Sequence, residues 1–165
     1  MITKPEIYVK KIISGGQTGA DMGGLVAGKR LKIKTGGTSA ENYMTEHGPN
    51  YRLRDIYRLN DIGVQYAKRT TINVMDANGT VVFADNMNSN GTKLTIAMCK
   101  KLNKPCIINP NSRELREWLH EHRIGILNVA GNRESLSPGI QKRVEEILLD
   151  TFEDGIYEDS GSSDN

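Results

Sequence analysis

The residues best suited to chemistry lie in three loops, and the first is the most specific. Ile12-Ile13-Ser14-Gly15-Gly16-Gln17-Thr18-Gly19-Ala20-Asp21 carries an apolar strand into a glycine-rich turn and then into a helix. Glycines adopt positive φ at little steric cost, so successive N–H groups can turn toward one point. The first turn of the helix adds unpaired donors and a partial positive charge. Such a loop suits a phosphate or a similar oxyanion, with Ser14, Gly15, Gly16, Gln17, Thr18 and Gly19 as contacts and Asp21 in the first helical turn. Gly15, Gly16 and Gly19 do not make a GxGxxG fingerprint, and no Gly-Lys-Ser/Thr follows, which disfavours a conventional NAD enzyme or NTPase. A tight turn that binds nothing would read the same way from this loop alone.

Two further loops bear on that choice. Asp85-Asn86-Met87-Asn88-Ser89-Asn90-Gly91-Thr92 follows an apolar strand and opens a helix, so Asn90, Gly91 and Thr92 repeat the anion-binding logic. Ala130-Gly131-Asn132-Arg133-Glu134-Ser135 follows another strand and supplies Gly131, Glu134, Ser135 and the forked donor of Arg133, which can bond an oxyanion in two places. Arg133 paired with Glu134 on the surface is an equal reading. Cleaving the glycosidic bond of a nucleotide would need a carboxylate to orient water or to stabilise charge on the sugar. Asp21, Glu46, Asp85 and Glu134 stand beside the expected cleft, with Glu46 and Glu134 the catalytic candidates. No Ser, Cys or His shows a nucleophilic arrangement, so binding is favoured over turnover. Tyr43, Tyr51, Tyr57 and Trp118 are the aromatics available to stack on a ligand ring.

These loops need strands and helices to hold them. Residues 8–13 read as a strand and 20–31 as a helix, although Gly23, Gly24 and Gly28 each weaken that helix by roughly 1 kcal/mol relative to alanine. So many glycines imply close packing on a sheet or on another subunit. A short strand at 34–37 leads into a polar loop running to about Arg54, a length typical of a lid or of disorder. A helix over 62–75, interrupted near Arg69, is closed by Asn78-Gly79 as a left-handed cap. A buried strand at 80–84, a helix at 93–102, a strand at 105–108, a helix at 113–120 capped by Ser112, and a strand at 125–129 follow. The last helix starts near Ser137-Pro138 with the serine as cap, and its apolar stripe is Ile140, Val144, Ile147 and Leu148. Alternating strands and helices give an α/β fold with a parallel sheet covered on both faces. In such a sheet the three loops meet beyond the carboxyl ends of the strands.

The 165 residues carry a formal charge of +2 and suit one domain over residues 1–152. Residues 153–165 are acidic and rich in Ser and Gly, and read as a disordered tail. Basic residues are dispersed, so neither a nucleic-acid polymer nor an anionic membrane is implied. No signal-peptide order and no apolar run near the roughly 20 residues that span a bilayer are present, so a cytoplasmic protein is expected. Cys99 and Cys106 lack a CxxC spacing and read as two buried free thiols. His47, His120 and His122 make no tetrahedral ligand set, so no metal site is expected.

Several separated motifs, in order, resemble one known family. They are Ser14-Gly15-Gly16-Gln17-Thr18-Gly19-Ala20-Asp21, Thr35-Gly36-Gly37, Thr45-Glu46-His47-Gly48, Arg69-Thr70 with Asn73-Val74, and Asn128-Val129-Ala130-Gly131-Asn132-Arg133-Glu134-Ser135. Together they are similar to the "putative molybdenum carrier" family, the circularly permuted YpsA-like branch of the SLOG superfamily. The resemblance implies a Rossmann-like three-layer fold with a central, mostly parallel sheet. It also implies homodimers or homotetramers and kinship with the Lonely Guy phosphoribohydrolases, and it adds Gly37 to the site. The implied ligand is a phosphorylated small molecule, either molybdenum cofactor or a nucleotide, held by a carrier without turnover. A sensor or sequestering protein for a nucleotide second messenger and a nucleoside monophosphate phosphoribohydrolase are the alternatives.

Overall fold

The computed structural model describes residues 1–158. The chain opens with β1 (Ile2–Thr3), enters the central sheet at β2 (Lys11–Ile13), and continues through α1 (Ala20–Arg30) and β3 (Lys34–Gly36). A 3-10 turn (Glu41–Tyr43), the short strands β4 (Met44–Thr45) and β5 (Gly48–Pro49), and the one-turn helix α2 (Arg52–Asp55) come next. Then follow α3 (Tyr66–Asp76), β6 (Gly79–Phe83), α4 (Asn90–Lys101), β7 (Cys106–Ile108), α5 (Ser112–Glu121), β8 (Ile126–Gly131), α6 (Ile140–Thr151) and β9 (Ile156–Tyr157).

The central sheet has the order β3-β2-β8-β6-β7, and every neighbouring pair is parallel. The α/β alternation expected from the sequence is therefore realised as a five-stranded parallel sheet flanked by helices. All five residues of β6, Gly-Thr-Val-Val-Phe, are buried, as a central strand covered on both faces requires. Helices α1, α5 and α6 pack together in one layer, while α3 and α4 pack together in the other. Leu115 and Leu119 of α5 and Ile140, Val144 and Leu148 of α6 join Ile12, Val81, Leu127 and Val129 of the sheet in the main core. The α1 glycines pack on the sheet and on α6. A Cβ on Gly24 would stand 2.6 Å from Val129, and one on Gly23 would stand 2.8 Å from the carbonyl of Gln141.

Several boundaries differ from the sequence reading, each for a local reason. Helix α3 begins at Tyr66 and runs without a break through Arg69. Its start is delayed because Gly63 takes φ +77 while donating its N–H to Asp61 Oδ1. The Asn78-Gly79 pair makes no left-handed cap. Ala77 is extended, and Asn78 Oδ1 instead accepts from the N–H groups of Gly125 (3.1 Å) and Ile126 (2.6 Å). Helix α4 starts at Asn90 because Ser89 caps it by accepting from Thr92 N–H. The cap of α5 is Asn111, in a reciprocal box with Glu114, rather than Ser112.

The polar segment expected to be a lid or disordered is folded. Leu53 from it, with Leu59 just beyond it, buries against Leu25 in a second small core. Beyond Phe152 the chain does not simply dissolve, since β9 pairs antiparallel with β1, Ile2 facing Tyr157. The remainder of the expected tail, residues 159–165, lies outside the described residues. Cys99 is buried, Cys106 is only half-buried, and both are free.

Candidate functional site

Strands β2, β8 and β6 are neighbours, so the loops that leave their carboxyl ends converge. Between them lies a cavity of about 610 Å³. Gly15 and Gln17 line it from the first loop, with Asp21 on α1 and Glu46 from the β4–β5 hairpin. Asn86, Asn88, Ser89, Asn90, Gly91, Leu94 and Thr95 line it from the second loop and α4, and Asn128, Ala130, Gly131, Asn132, Arg133 and Leu136 from β8 and beyond. Helix α3 closes the remaining side with Tyr66, Ala67, Arg69, Thr70 and Asn73.

Several first-loop amides are already paired, within the loop, to α1 and to the third loop. Gly16 N–H donates to Ser14 Oγ (3.2 Å), Gln17 N–H to Asp21 Oδ2 (3.1 Å), Thr18 N–H to Gln17 Oε1 (3.0 Å), and Ala20 N–H to the carbonyl of Asn132 (3.0 Å). Gly16 sits at φ +76 with its missing Cβ aimed at Leu53 and Leu59, away from the cavity lining. The amino terminus of α4 is more open. A Cβ on Gly91 would meet nothing within 4 Å, and the first turn of a twelve-residue helix directs unpaired N–H groups outward.

Asn132 positions that second loop. Its side chain accepts from Asn86 N–H at 2.9 Å and donates to the carbonyl of Asn86 at 2.9 Å and to Thr92 Oγ1 at 3.3 Å. Glu46 ties the hairpin to the other two loops. Its carboxylate accepts from Thr18 Oγ1 at 2.7 Å, from Ser135 N–H at 3.2 Å and from Ser135 Oγ at 2.6 Å, and it lies 3.4 Å from Arg133 Nε. Desolvation pushes its pKa up, but the hydrogen bonds from Ser135 and Thr18, with a smaller contribution from His47, outweigh that and leave it below the usual value. Asp21 goes the other way. Burial pushes its carboxyl up more than Arg69 and the Gln17 amide bring it down.

The family model for circularly permutated YpsA SLOG proteins matches residues 12–152, a span that holds every loop just described. The chain belongs to this family. A solved structure of similar fold is that of the "putative molybdenum carrier protein" of Syntrophus aciditrophicus SB, known from a crystal structure. It superposes with a TM-score of 0.82 at 29% identity, covering 89% of this chain and 97% of that one. No match to the chain was found among curated proteins.

In this SLOG chain eight of the residues singled out from sequence reach the cavity: Gly15, Gln17, Asp21, Glu46, Asn90, Gly91, Gly131 and Arg133. The others support them from behind. Ser14 is buried and donates to the carbonyl of Asp21. Thr18 and Ser135 are bound to Glu46. Thr92 is buried against Asn132. Gly19 and Gly37 are glycine because a Cβ would strike the carbonyls of Asn132 (2.4 Å) and Ser14 (2.2 Å). Glu134, a catalytic candidate, has its carboxylate committed to capping α6, accepting from Gly139 N–H at 2.6 Å and Gln141 N–H at 3.1 Å. That is the capping role expected of Ser137, whose hydroxyl is bound to Asp85 instead. Asp85 is held by Arg143 as well, at 2.9 Å, and does not line the cavity.

The sequence reading missed the α3 contribution. Tyr66 is the aromatic that lines the cavity, whereas Tyr43 and Tyr51 pack edge to face with each other and Trp118 packs on the core. Arg69, Thr70 and Asn73 were visible only as part of the family resemblance, since nothing in their helical spacing marks them as cavity residues. Among the described residues no cluster of three or more His, Cys, Asp or Glu side chains is gathered to hold a metal. No helix there is long and apolar enough to cross a membrane.

Proposed function

We propose that the cavity binds a phosphate-bearing small molecule carrying a planar ring, and that the protein carries or stores this ligand without turning it over. The observation that supports this most is the joint placement of Arg69, Arg133 and the open amino terminus of α4 around one 610 Å³ space, a volume in the range of small-molecule sites. A phosphate group neutralises both kinds of donor at once. Tyr66 offers a ring face, and the amide side chains of Gln17, Asn88 and Asn128 offer donors and acceptors for a heterocycle's edge. The Syntrophus protein's description as a molybdenum carrier makes molybdenum cofactor, a phosphorylated pterin, the cargo to test first. Its chemistry fits the lining, with cations and helix amides for the phosphate and Tyr66 for the ring.

The commitments of the carboxylates favour binding over hydrolysis. Glu46 is surrounded by donors and Glu134 caps a helix, so neither is free to orient water. The test is native mass spectrometry of freshly purified protein, followed by denaturation and identification of the released molecule. A pterin or molybdenum species supports the carrier reading, an intact nucleotide moves the assignment to a sensor or sequestering protein, and a free base with ribose phosphate moves it to a hydrolase. The same spectrum reports whether the protein is a dimer or tetramer.

A further inference from the structure

Among the described residues, Arg116 and Arg69 both have largely buried side chains, and they are treated differently. Arg116, with 4% of its side chain exposed, has an acceptor for every nitrogen of its fork. Nε donates to the carbonyl of Pro5, Nη1 to those of Thr151 and Glu153, and Nη2 to Asp154. Arg69, with 11% exposed, does not. Its Nε is buried without an acceptor, and among the described residues its one side-chain hydrogen bond is from Nη1 to Thr70 Oγ1 at 3.3 Å. Asp21 Oδ2 stands 3.6 Å from Nη1, too far for a hydrogen bond, and that oxygen is already taken by Gln17 N–H.

The surroundings hold this guanidinium in place. It lies directly against Gly15, where a Cβ would come within 2.0 Å of Nη1 and 2.5 Å of Cζ. Tyr66, one helical turn earlier on α3, has its ring centroid 5.5 Å from Cζ. A buried cation fixed against a glycine on the cavity wall, with part of its fork unpaired, is matched to an acceptor that the polypeptide does not supply. In the first loop, by contrast, the Gly16, Gln17 and Thr18 amides already have acceptors on Ser14, Asp21 and Gln17.

We propose that Arg69 is the principal anion receptor of the cavity, taking the terminal phosphoryl group of the ligand in a forked contact, with Gly15 kept free of a side chain so that the guanidinium can lie there. This rests on the reading that the ligand bears phosphate. The glycine-rich loop then acts as a platform for the arginine instead of as the cradle for the anion.

The experiment is isothermal titration of the full chain with adenosine monophosphate, adenosine, pyrophosphate and inorganic phosphate, for the wild type and for Arg69→Gln, Arg69→Lys, Gly15→Ala and Arg133→Gln. Melting curves of the same samples confirm that each variant is folded. Loss of a charged, forked contact predicts a fall of about 30-fold or more for the phosphorylated probes in Arg69→Gln, with adenosine unaffected. Gly15→Ala, which keeps the arginine but displaces it, shows the same selective loss. Arg69→Lys recovers part of the affinity, and Arg133→Gln loses only a few-fold because that side chain is 56% exposed and already faces Glu46. Phosphorylated probes binding Arg69→Gln and Gly15→Ala within about 3-fold of wild type, a difference below 1 kcal/mol, overturn the proposal while leaving the phosphate reading intact. A wild type that takes none of the phosphorylated probes overturns the phosphate reading and the proposal together.

Discussion

Neighbouring residues of one motif do unrelated work, and substitution separates them. Gly16 adjoins Gly15, yet its missing side chain faces Leu53 at 2.7 Å and Leu59 at 2.9 Å rather than the ligand space. Gly16→Ala is therefore expected to cost stability, about 1–3 kcal/mol from positive φ and overpacking, with ligand affinity in the remaining folded protein unchanged. Urea denaturation beside a titration checks both halves, and a weakened ligand with unchanged stability would reassign Gly16 to the site. Asp21 makes a prediction with a definite sign in pH. Its carboxyl is raised above 3.8 because burial penalises the charge more than Arg69 and Gln17 favour it. Its favourable contribution is thus present below the unfolded value and lost as pH rises through the folded one. Asp21→Asn cannot ionise, so its stability relative to wild type should climb over that interval. A difference that stays flat, or that falls, would mean that Arg69 holds the carboxylate ionised.

At the scale of elements, the site is three loops and a hairpin held together by a few polar hubs, and Glu46 is the hub that joins most of them. Glu46→Gln keeps the shape but weakens its contacts with Thr18, Ser135 and Arg133, and should cost about 1 kcal/mol while raising proteolytic nicking within residues 44–50. Because its folded pKa lies below 4.5, this contribution is present above the unfolded value and disappears as pH falls through the folded one. The wild-type advantage in thermal unfolding should shrink accordingly in acid, and an advantage independent of pH would assign the effect to packing. This scale also shows what the sequence could tell. The strand-to-loop-to-helix grammar is local, so β2, β6, β8 and the loops after them were legible, as was their meeting on one sheet edge. Capping was legible only as a vocabulary. Which of Ser112, Asn111, Ser137 or Glu134 caps a given helix depends on where distant carboxylates arrive, as with Asp85 reaching Ser137. Arg69 was legible only as part of a family motif, and its place in the cavity was not, since its significance comes from Gly15 and Asp21, more than forty residues away in the chain.

For the whole molecule, the parallel sheet gathers the ligand loops at one end, while the segments around Ile2–Thr3 and Ile156–Tyr157 are fastened to each other by β1 and β9. Arg116 is the fastening. It reaches from α5 to the carbonyl of Pro5 on one terminal segment and to the carbonyls of Thr151 and Glu153 on the other. A guanidinium can serve three carbonyls at once because its five donors radiate in a plane, and an apolar side chain of similar length can serve none of them. Arg116→Met should therefore cost about 2–4 kcal/mol through the orphaned carbonyls, a drop of roughly 5–12 °C in melting temperature for a chain of this size. Because Arg116 does not line the ligand cavity, the loss should be confined to the far end. Hydrogen exchange should accelerate in Ile2–Thr3 and Ile156–Tyr157 well before it changes in β6, and affinity for a phosphorylated probe should hold. Faster exchange spreading at once to β6 and the loops around Arg69 would show instead that the terminal clamp and the ligand end unfold as one cooperative unit.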